Sequence, residues 1–308
     1  MADDQPGLRP LDVATLAYVL VEAAVVVVFL RHRPVWPYLL MIYMTAAAMT
    51  VLFASVRASG RFWRAFRLTY PLLIVVILYE ALNHQVFIFH SRPLDATINS
   101  AEMTILGFDS SFALQRFMSV PLNEIMSFFY ISYYFIPPVV LLVFLFHEKW
   151  RVLERSVLAA SITFYICYAI FIIFPVVGPR LYLKSIYYLP LMGPLFTPLA
   201  QRIVAAGGLH GGAMPSSHCG VALVMIWFFS REFRRFEIPF YAMLLMLCVS
   251  TVYGRYHYSS DVVIGLLVGT LSIGLTYRWQ NGFLARRESA ADMPGAEIEN
   301  TIRAGIDA

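Results

Sequence analysis

Charge is scarce in this sequence. Only 14% of its 308 residues are Asp, Glu, Lys or Arg, 59% are hydrophobic, and the mean hydropathy is +0.68. That is too apolar for a soluble globule and points to a chain that crosses a membrane several times. The net charge of +4 sits mainly in short loops, so it reads as membrane topology and leaves no basic tract for nucleic acid. Cysteine is scarcer still. Cys167, Cys219 and Cys248 lie in or beside apolar runs, and their number is odd. They read as packed thiols, which excludes a disulfide framework and gives no metal site. Internal repeats and low-complexity tracts are absent. No small-residue cleavage site follows the first apolar run, which is expected to stay as an anchor.

What the chain does have is long hydrophobic runs. A bilayer core takes about 20 apolar residues per helix. On that measure there are eight candidate spans, at roughly 11–30, 35–56, 68–90, 122–146, 152–175, 215–230, 237–254 and 258–280. The expected architecture is therefore all-α and polytopic. Residues 1–65 hold an N-terminal pair of transmembrane helices, 66–282 a six-helix catalytic membrane domain, and 283–308 a flexible cytoplasmic tail. In the last span, Gly265 and Gly269 form a small-xxx-small face suited to close helix packing. Segments 91–121 and 176–214 are too long for turns. The first reads as interfacial amphipathic helices roofing a site, the second as a polar-aromatic entrance.

Lys and Arg counts orient the chain. On the eight-span scheme 15 of them fall on one side and 8 on the other, and the richer side is cytoplasmic. Two polar clusters, one beginning at Gly211 and one ending at Asp261, are separated by an even number of crossings. They share one side, the outer one, facing a periplasm or lumen.

The second cluster contains His257 and Asp261, four residues apart at the start of a helical run and so on one face. A carboxylate one turn from a histidine can accept the proton on one ring nitrogen and leave the other as nucleophile or base. The alternative is a pair that merely closes a helix start. The first cluster is Gly211-Gly212-Ala213-Met214-Pro215-Ser216-Ser217-His218. Ser216 or Ser217 suits an N-cap, the free amides there suit an anion, and Gly212 lets backbone approach a phosphate. His218 would then stand where it can protonate a leaving oxygen. Arg180 and Arg255 are candidate phosphate clamps, with membrane-surface anchoring as the alternative. Glu80, Asn83 and His84 share a face of the third span, and Tyr130, Tyr133 and Tyr134 occur in the fourth. With Lys184 they are candidates for a substrate pocket.

These residues resemble the type-2 phosphatidic acid phosphatase superfamily of integral-membrane lipid phosphatases and phosphotransferases, over about residues 66–280. That family carries a glycine-rich Pro-Ser-x-His at one span's start, and Ser-Arg-(five residues)-His-x-x-x-Asp at the end of the next. Ser250, Val252, Tyr253, His257, Tyr258, Ser260, Asp261 and Gly265 fit the second pattern. Thr251 stands where the family has Arg. The family's first motif, Lys-(six residues)-Arg-Pro, is missing around Arg180: Ile173 holds the Lys position and Leu181 the Pro position. Gly-Ala-Met-Pro-Ser-Ser-His with Arg-x-His-Tyr-x-x-Asp is similar to the branch containing inositolphosphorylceramide synthases. The resemblance implies that His257 attacks phosphorus, that Asp261 orients it, and that His218 protonates the departing group. It implies no metal and no cofactor, with membrane lipids as the partners. The expected function is transfer of an inositol phosphate-like headgroup between lipids. The alternatives are hydrolysis of phosphatidate or polyprenyl phosphates, a non-catalytic lipid-binding or transport protein, and a metal hydrolase.

Overall fold

The computed structural model describes residues 7–56 and 60–291, with side chains through residue 283. Among these residues there is no β-strand, only one isolated bridge between Val176 and Gly212. The protein is an all-α polytopic membrane protein. Among the described residues six helices are long and apolar enough to span, and a bent helix pair adds a seventh where it counts as one span.

The N-terminal pair is α1 (Pro10–Val25), which continues as a π-helical turn to Leu30, and α2 (Trp36–Ser55). The third span, α3 (Gly60–Leu82), starts about eight residues earlier than hydropathy suggested and ends sooner. Two buried polar knots tie these helices together. Asp12 of α1 accepts from Arg67 Nη1 at 2.8 Å and Nη2 at 2.5 Å, and from the Tyr70 hydroxyl. Farther along, Tyr43 donates to Gln85 Oε1 at 2.5 Å, and Gln85 Nε2 donates to Glu22 at 3.4 Å. Buried charges persist in such settings only when paired and hydrogen-bonded.

The fourth span is broken. Helices α6 (Val120–Ser132) and α7 (Ile136–Phe146) meet at an angle of 46°. Pro137 and Pro138 explain the break, since each lacks an amide hydrogen and Pro137 disfavours a helical residue before it. The fifth span is α8 (Trp150–Ile173). At the centre lies α11 (Ser217–Glu232), buried on nearly every side and packed against α7, α8, α12 (Glu237–Tyr253) and α13 (Ser259–Ala291). Its 16 residues reach about 24 Å, short of the roughly 30 Å hydrocarbon core. Protein surrounds it in place of lipid. Helix α13 runs on to Ala291, past residue 283 where the tail was expected; residues 292–308 lie outside those described.

The contact of α11 with α13 is made of glycine. A Cβ on Gly265 would lie 2.3 Å from the Ser216 carbonyl oxygen, and one on Gly269 would lie 2.6 Å from that of Gly220. Gly274 faces open space.

Short elements cover one end of the bundle: α4 (Asp95–Leu106), α5 (Ser110–Leu114), α9 (Pro179–Tyr182) and α10 (Phe196–Gly207). Helix α10 lays Ala200, Ile203 and Val204 against Tyr130 and Ile131 of α6. The Glu124 carboxylate caps its start, accepting from the amides of Leu195, Phe196 and Thr197 at 3.1, 2.8 and 2.9 Å.

Gly265→Ala and Gly269→Ala are expected to destabilise the protein by about 1–3 kcal/mol, the cost of overpacking a tight contact. Gly274→Ala is expected to be neutral or better. Thermal denaturation of the three variants in detergent checks this.

Candidate active site

His257 sits in the turn between α12 and α13. Thr251 at the end of α12 organises that turn: its carbonyl accepts the amides of Tyr256 at 2.9 Å and His257 at 3.2 Å. Arg255 adopts a left-handed conformation, φ 63°, and its carbonyl accepts the Arg180 amide at 2.7 Å. The turn is thereby joined to α9. Gly178, just before α9, has φ 88° and would place a Cβ 2.7 Å from the Tyr256 carbonyl oxygen. Only glycine meets both conditions without strain.

The loop before α11 approaches from the other side. Val176 donates to the Gly211 carbonyl at 3.0 Å, and Ala213 donates to that of Val176 at 2.8 Å. This leaves the Ala213 carbonyl 2.7 Å from His257 Nδ1. A carbonyl only accepts, so Nδ1 carries the proton and Nε2 the lone pair. Asp261 is a more distant neighbour, 3.6 Å from Nδ1. Its Oδ2 accepts the Tyr258 amide at 2.8 Å, so the carboxylate both closes the start of α13 and faces the imidazole. The two readings of the His-x-x-x-Asp spacing are thus geometrically compatible, and the close partner of His257 is a carbonyl 44 residues away in sequence. Burial pushes the His257 pKa down, but the Asp261 carboxylate facing the ring outweighs it and holds the imidazole above its usual value.

His218 is the second residue of α11, and its ring centroid is 5.6 Å from that of His257. The break between α6 and α7 surrounds it with tyrosines: Tyr133 at 4.4 Å, Tyr130 at 5.6 Å and Tyr134 at 6.1 Å between centroids. Its Nδ1 is buried without a protein hydrogen-bond partner among the described residues.

Both histidines, Arg180, Gly212, Tyr79, Tyr130, Tyr134 and Tyr256 line one cavity of about 250 Å³, rimmed by Ile203, Val204 and Leu209. His218, His257, Arg180 and Gly212 are therefore brought together, with Asp261 behind His257. The two polar clusters do share one end of the bundle. Arg180 makes no side-chain hydrogen bond or ion pair among the described residues, so its guanidinium is uncommitted.

Other expected residues lie elsewhere. Ser216 is the N-cap of α11, its Oγ accepting the Cys219 amide at 3.4 Å, but its own amide is spent on the Asp261 carbonyl at 2.9 Å. Only Ser217 and His218 keep the unpartnered amides of a helix start. Ser216 and Ser217 are buried and are not in the cavity's lining. Arg255 turns away from His257: its Nη2 donates to Gln115 Oε1, the Leu189 carbonyl and Met118 Sδ, and its guanidinium covers the Tyr187 ring at 3.9 Å. Lys184 lines a second cavity with Arg255. Tyr133 is packed behind His218. Glu80, Asn83 and His84 do not reach the cavity. The helix ends at Leu82, which puts Asn83 and His84 in a turn, and all three are exposed. Of the polar residues of that stretch, Tyr79 lines the cavity and Gln85 is buried. No three His, Cys, Asp or Glu side chains among the described residues converge as a metal-ligand set.

A family model described as the PAP2 superfamily matches residues 100–275, more than half of the chain and both histidine clusters. The chain belongs to the PAP2 superfamily. Over 103 residues this superfamily member is also 28% identical to the inositol phosphorylceramide synthase catalytic subunit aur1 of Schizosaccharomyces pombe. That stretch is 29% of this chain and 24% of the yeast protein, so the match spans about a quarter of the relative's length. No solved structure matches. As a PAP2 superfamily member with several membrane-spanning helices, the chain is a multi-pass integral membrane protein.

Sequence reasoning gave Asp95 no role. From the first turn of α4 it accepts the Val177 and Gly178 amides, each at 2.9 Å, and the Tyr258 hydroxyl at 3.2 Å. It thus braces the strand-like stretch that leads into α9 and Arg180. Asp95→Ala leaves two buried amides and a hydroxyl without that acceptor, at about 1–3 kcal/mol. The expected outcome is a lower melting temperature together with a reduced kcat, and Asp95→Asn is expected to be milder on both. Melting curves and turnover assays on the same preparations check it.

Proposed function

We propose that this protein is a lipid phosphotransferase that moves an inositol phosphate-like headgroup between lipids through a phosphohistidine on His257. The observation that carries the reading is the fixed tautomer of His257, with Nδ1–H on the Ala213 carbonyl and Nε2 free, in one cavity with His218 and an unpaired Arg180. Nε2 attacks phosphorus, and the P–O bond to the diacylglycerol-like portion breaks. His218 gives its proton to that departing oxygen. In the second half-reaction an acceptor hydroxyl attacks phosphorus, His218 takes its proton, and the P–N bond breaks. Arg180 and the free amide of His218, both residues of the cavity lining, offset charge on the phosphoryl oxygens. Asp261 steadies the imidazolium character that grows on His257. No step needs a metal.

Transfer is favoured over hydrolysis by the apolar rim, since Ile203, Val204 and Leu209 restrict water above the phosphoryl group. The likeness to the yeast synthase subunit supports the same choice. The Lys and Arg count supports a site on the periplasmic or lumenal side.

The test is turnover by purified protein of radiolabelled phospholipids and polyprenyl phosphates, with and without ceramide or diacylglycerol, in chelator. A labelled product lipid that needs an acceptor supports transfer. Free phosphate without one would make the protein a hydrolase. His257→Ala is expected to lose activity by at least about a thousandfold, and an acid-labile label on protein should vanish with it. Full activity in His257→Ala, or its loss in chelator, would overturn the mechanism.

The pH dependence follows from the same geometry. His257 must be neutral to attack, and its pKa lies above the usual value, so the rate rises as pH climbs through that raised pKa. Asp261→Asn removes the charge that raises it and leaves burial, which lowers it. The rising limb of kcat/KM against pH should shift to lower pH in Asp261→Asn while the plateau drops.

A further inference from the structure

A second cavity, of about 460 Å³, lies beside the first and shares Arg180, Leu181 and Tyr256 with it. Arg180, Lys184 and Arg255 all line it, and no Asp or Glu does. None of these cations forms an ion pair among the described residues. Arg255 is 7% exposed. Its hydrogen bonds go only to neutral acceptors, at 3.1 Å to Gln115 Oε1, 2.6 Å to the Leu189 carbonyl and 3.1 Å to Met118 Sδ, and its Nε is buried without a partner. The carboxylate linked to Tyr187, that of Asp109, accepts the Ser111 hydroxyl and the Phe112 amide at Oδ1, each at 2.6 Å, while its Oδ2 is buried without a hydrogen-bond partner among the described residues and lies outside the cavity lining. A buried cation with neutral partners alone is costly to maintain. Three cations lining one cavity with no acidic side chain in its lining describe a binding site for an anion.

We propose that this second cavity is an anion subsite that takes a phosphate carried on the substrate's headgroup beyond the reacting phosphorus. The proposal rests on the reading of the His218–His257 cavity as the place of that reacting phosphorus. Arg180, which lines both cavities, then stands between two anions. The backbone bond from its amide to the Arg255 carbonyl couples the two sites geometrically. The substrate class this selects is a lipid with two separated anionic groups at its head. Two sources share that chemistry: a phosphorylated polyol headgroup and a diphosphate link.

Soluble headgroup probes distinguish them. Binding to the full-length protein in detergent would be measured for inositol 1-phosphate against inositol 1,4-bisphosphate, and for phosphate against pyrophosphate. At least one two-phosphate probe is expected to bind about tenfold or more tightly than its single-phosphate counterpart. The pair that shows the gain names the source. In Lys184→Ala and Arg255→Gln the ratio should fall toward one. In His257→Ala it should persist, because the second cavity is untouched. Lys184 is exposed, so its truncation gives a reading even where Arg255→Gln fails to fold. A ratio near one in the parent, or one unaltered by Lys184→Ala, overturns the subsite. If the gain is present and depends on Lys184 while His257→Ala retains full lipid turnover, the subsite stands and the phosphohistidine reading falls.

Discussion

Five backbone-centred hydrogen bonds hold the two histidine loops in register. The Ser216 amide meets the Asp261 carbonyl, and the Ala213 carbonyl meets His257 Nδ1. The Val176–Gly212 bridge sets the first loop, and the Arg180 amide on the Arg255 carbonyl sets the second. None of these can form unless α11 and α13 approach to the distance that Gly220, Gly265 and Gly269 permit. Interhelical glycine contacts are a general means of packing helices in lipid, where no hydrophobic force draws them together. Here the same contact brings the floor of the cavity within hydrogen-bonding reach of the turn that carries His257. Fold stability and site geometry therefore rest on one set of van der Waals contacts.

The remaining walls follow from interruptions of helix. Prolines break the fourth span at the level of His218, where Tyr130 near the end of α6 and Tyr133 and Tyr134 of the freed turn surround the imidazole. Tyr130 also stacks on Tyr256 at 4.3 Å, which joins the broken span to the His257 turn. Helix α10 lies over this pair and is capped by Glu124 from α6, so a single helix supplies both the tyrosine wall and the anchor for the rim. Backbone irregularity at membrane depth is tolerated where it lines a cavity, because protein or water satisfies the freed groups.

The periodicity and apolar length of the chain made the all-α polytopic architecture legible, along with the shared side of the two clusters. The short central span was visible as a short apolar run, and α11 is indeed only 16 residues long. Other features were not legible, for physical reasons. Glu80, Asn83 and His84 share a face only while the helix continues, and it stops at Leu82. Arg255 lies two residues from His257, yet its left-handed backbone sends the side chain toward Gln115 and Tyr187. The carbonyl of Ala213 and the carboxylate of Asp95 act across 44 and 82 or more residues of chain, and local pattern carries no trace of such pairings. A hydrophobic period predicts which face is buried, but not which backbone group waits there.

The substitution of Thr251 for the arginine of the wider family has a structural counterpart. Thr251 is fully buried, and its hydroxyl donates to the Cys248 carbonyl at 2.8 Å. Its carbonyl holds the two amides of the His257 turn, and its Oγ1 lies 4.0 Å from Cys219 Sγ of α11. An arginine there would have to displace α11 or leave the core, and either move would loosen the turn. With that position committed to packing, positive charge for a phosphoryl group has to reach the cavity from another element. Arg180 is the cation that does so, held by an amide bond to the turn it serves and left without an acidic partner. Under the proposed mechanism, the charge that the family pattern places six residues before the histidine comes in this chain from the facing loop, whose Arg180 also lines the second cavity.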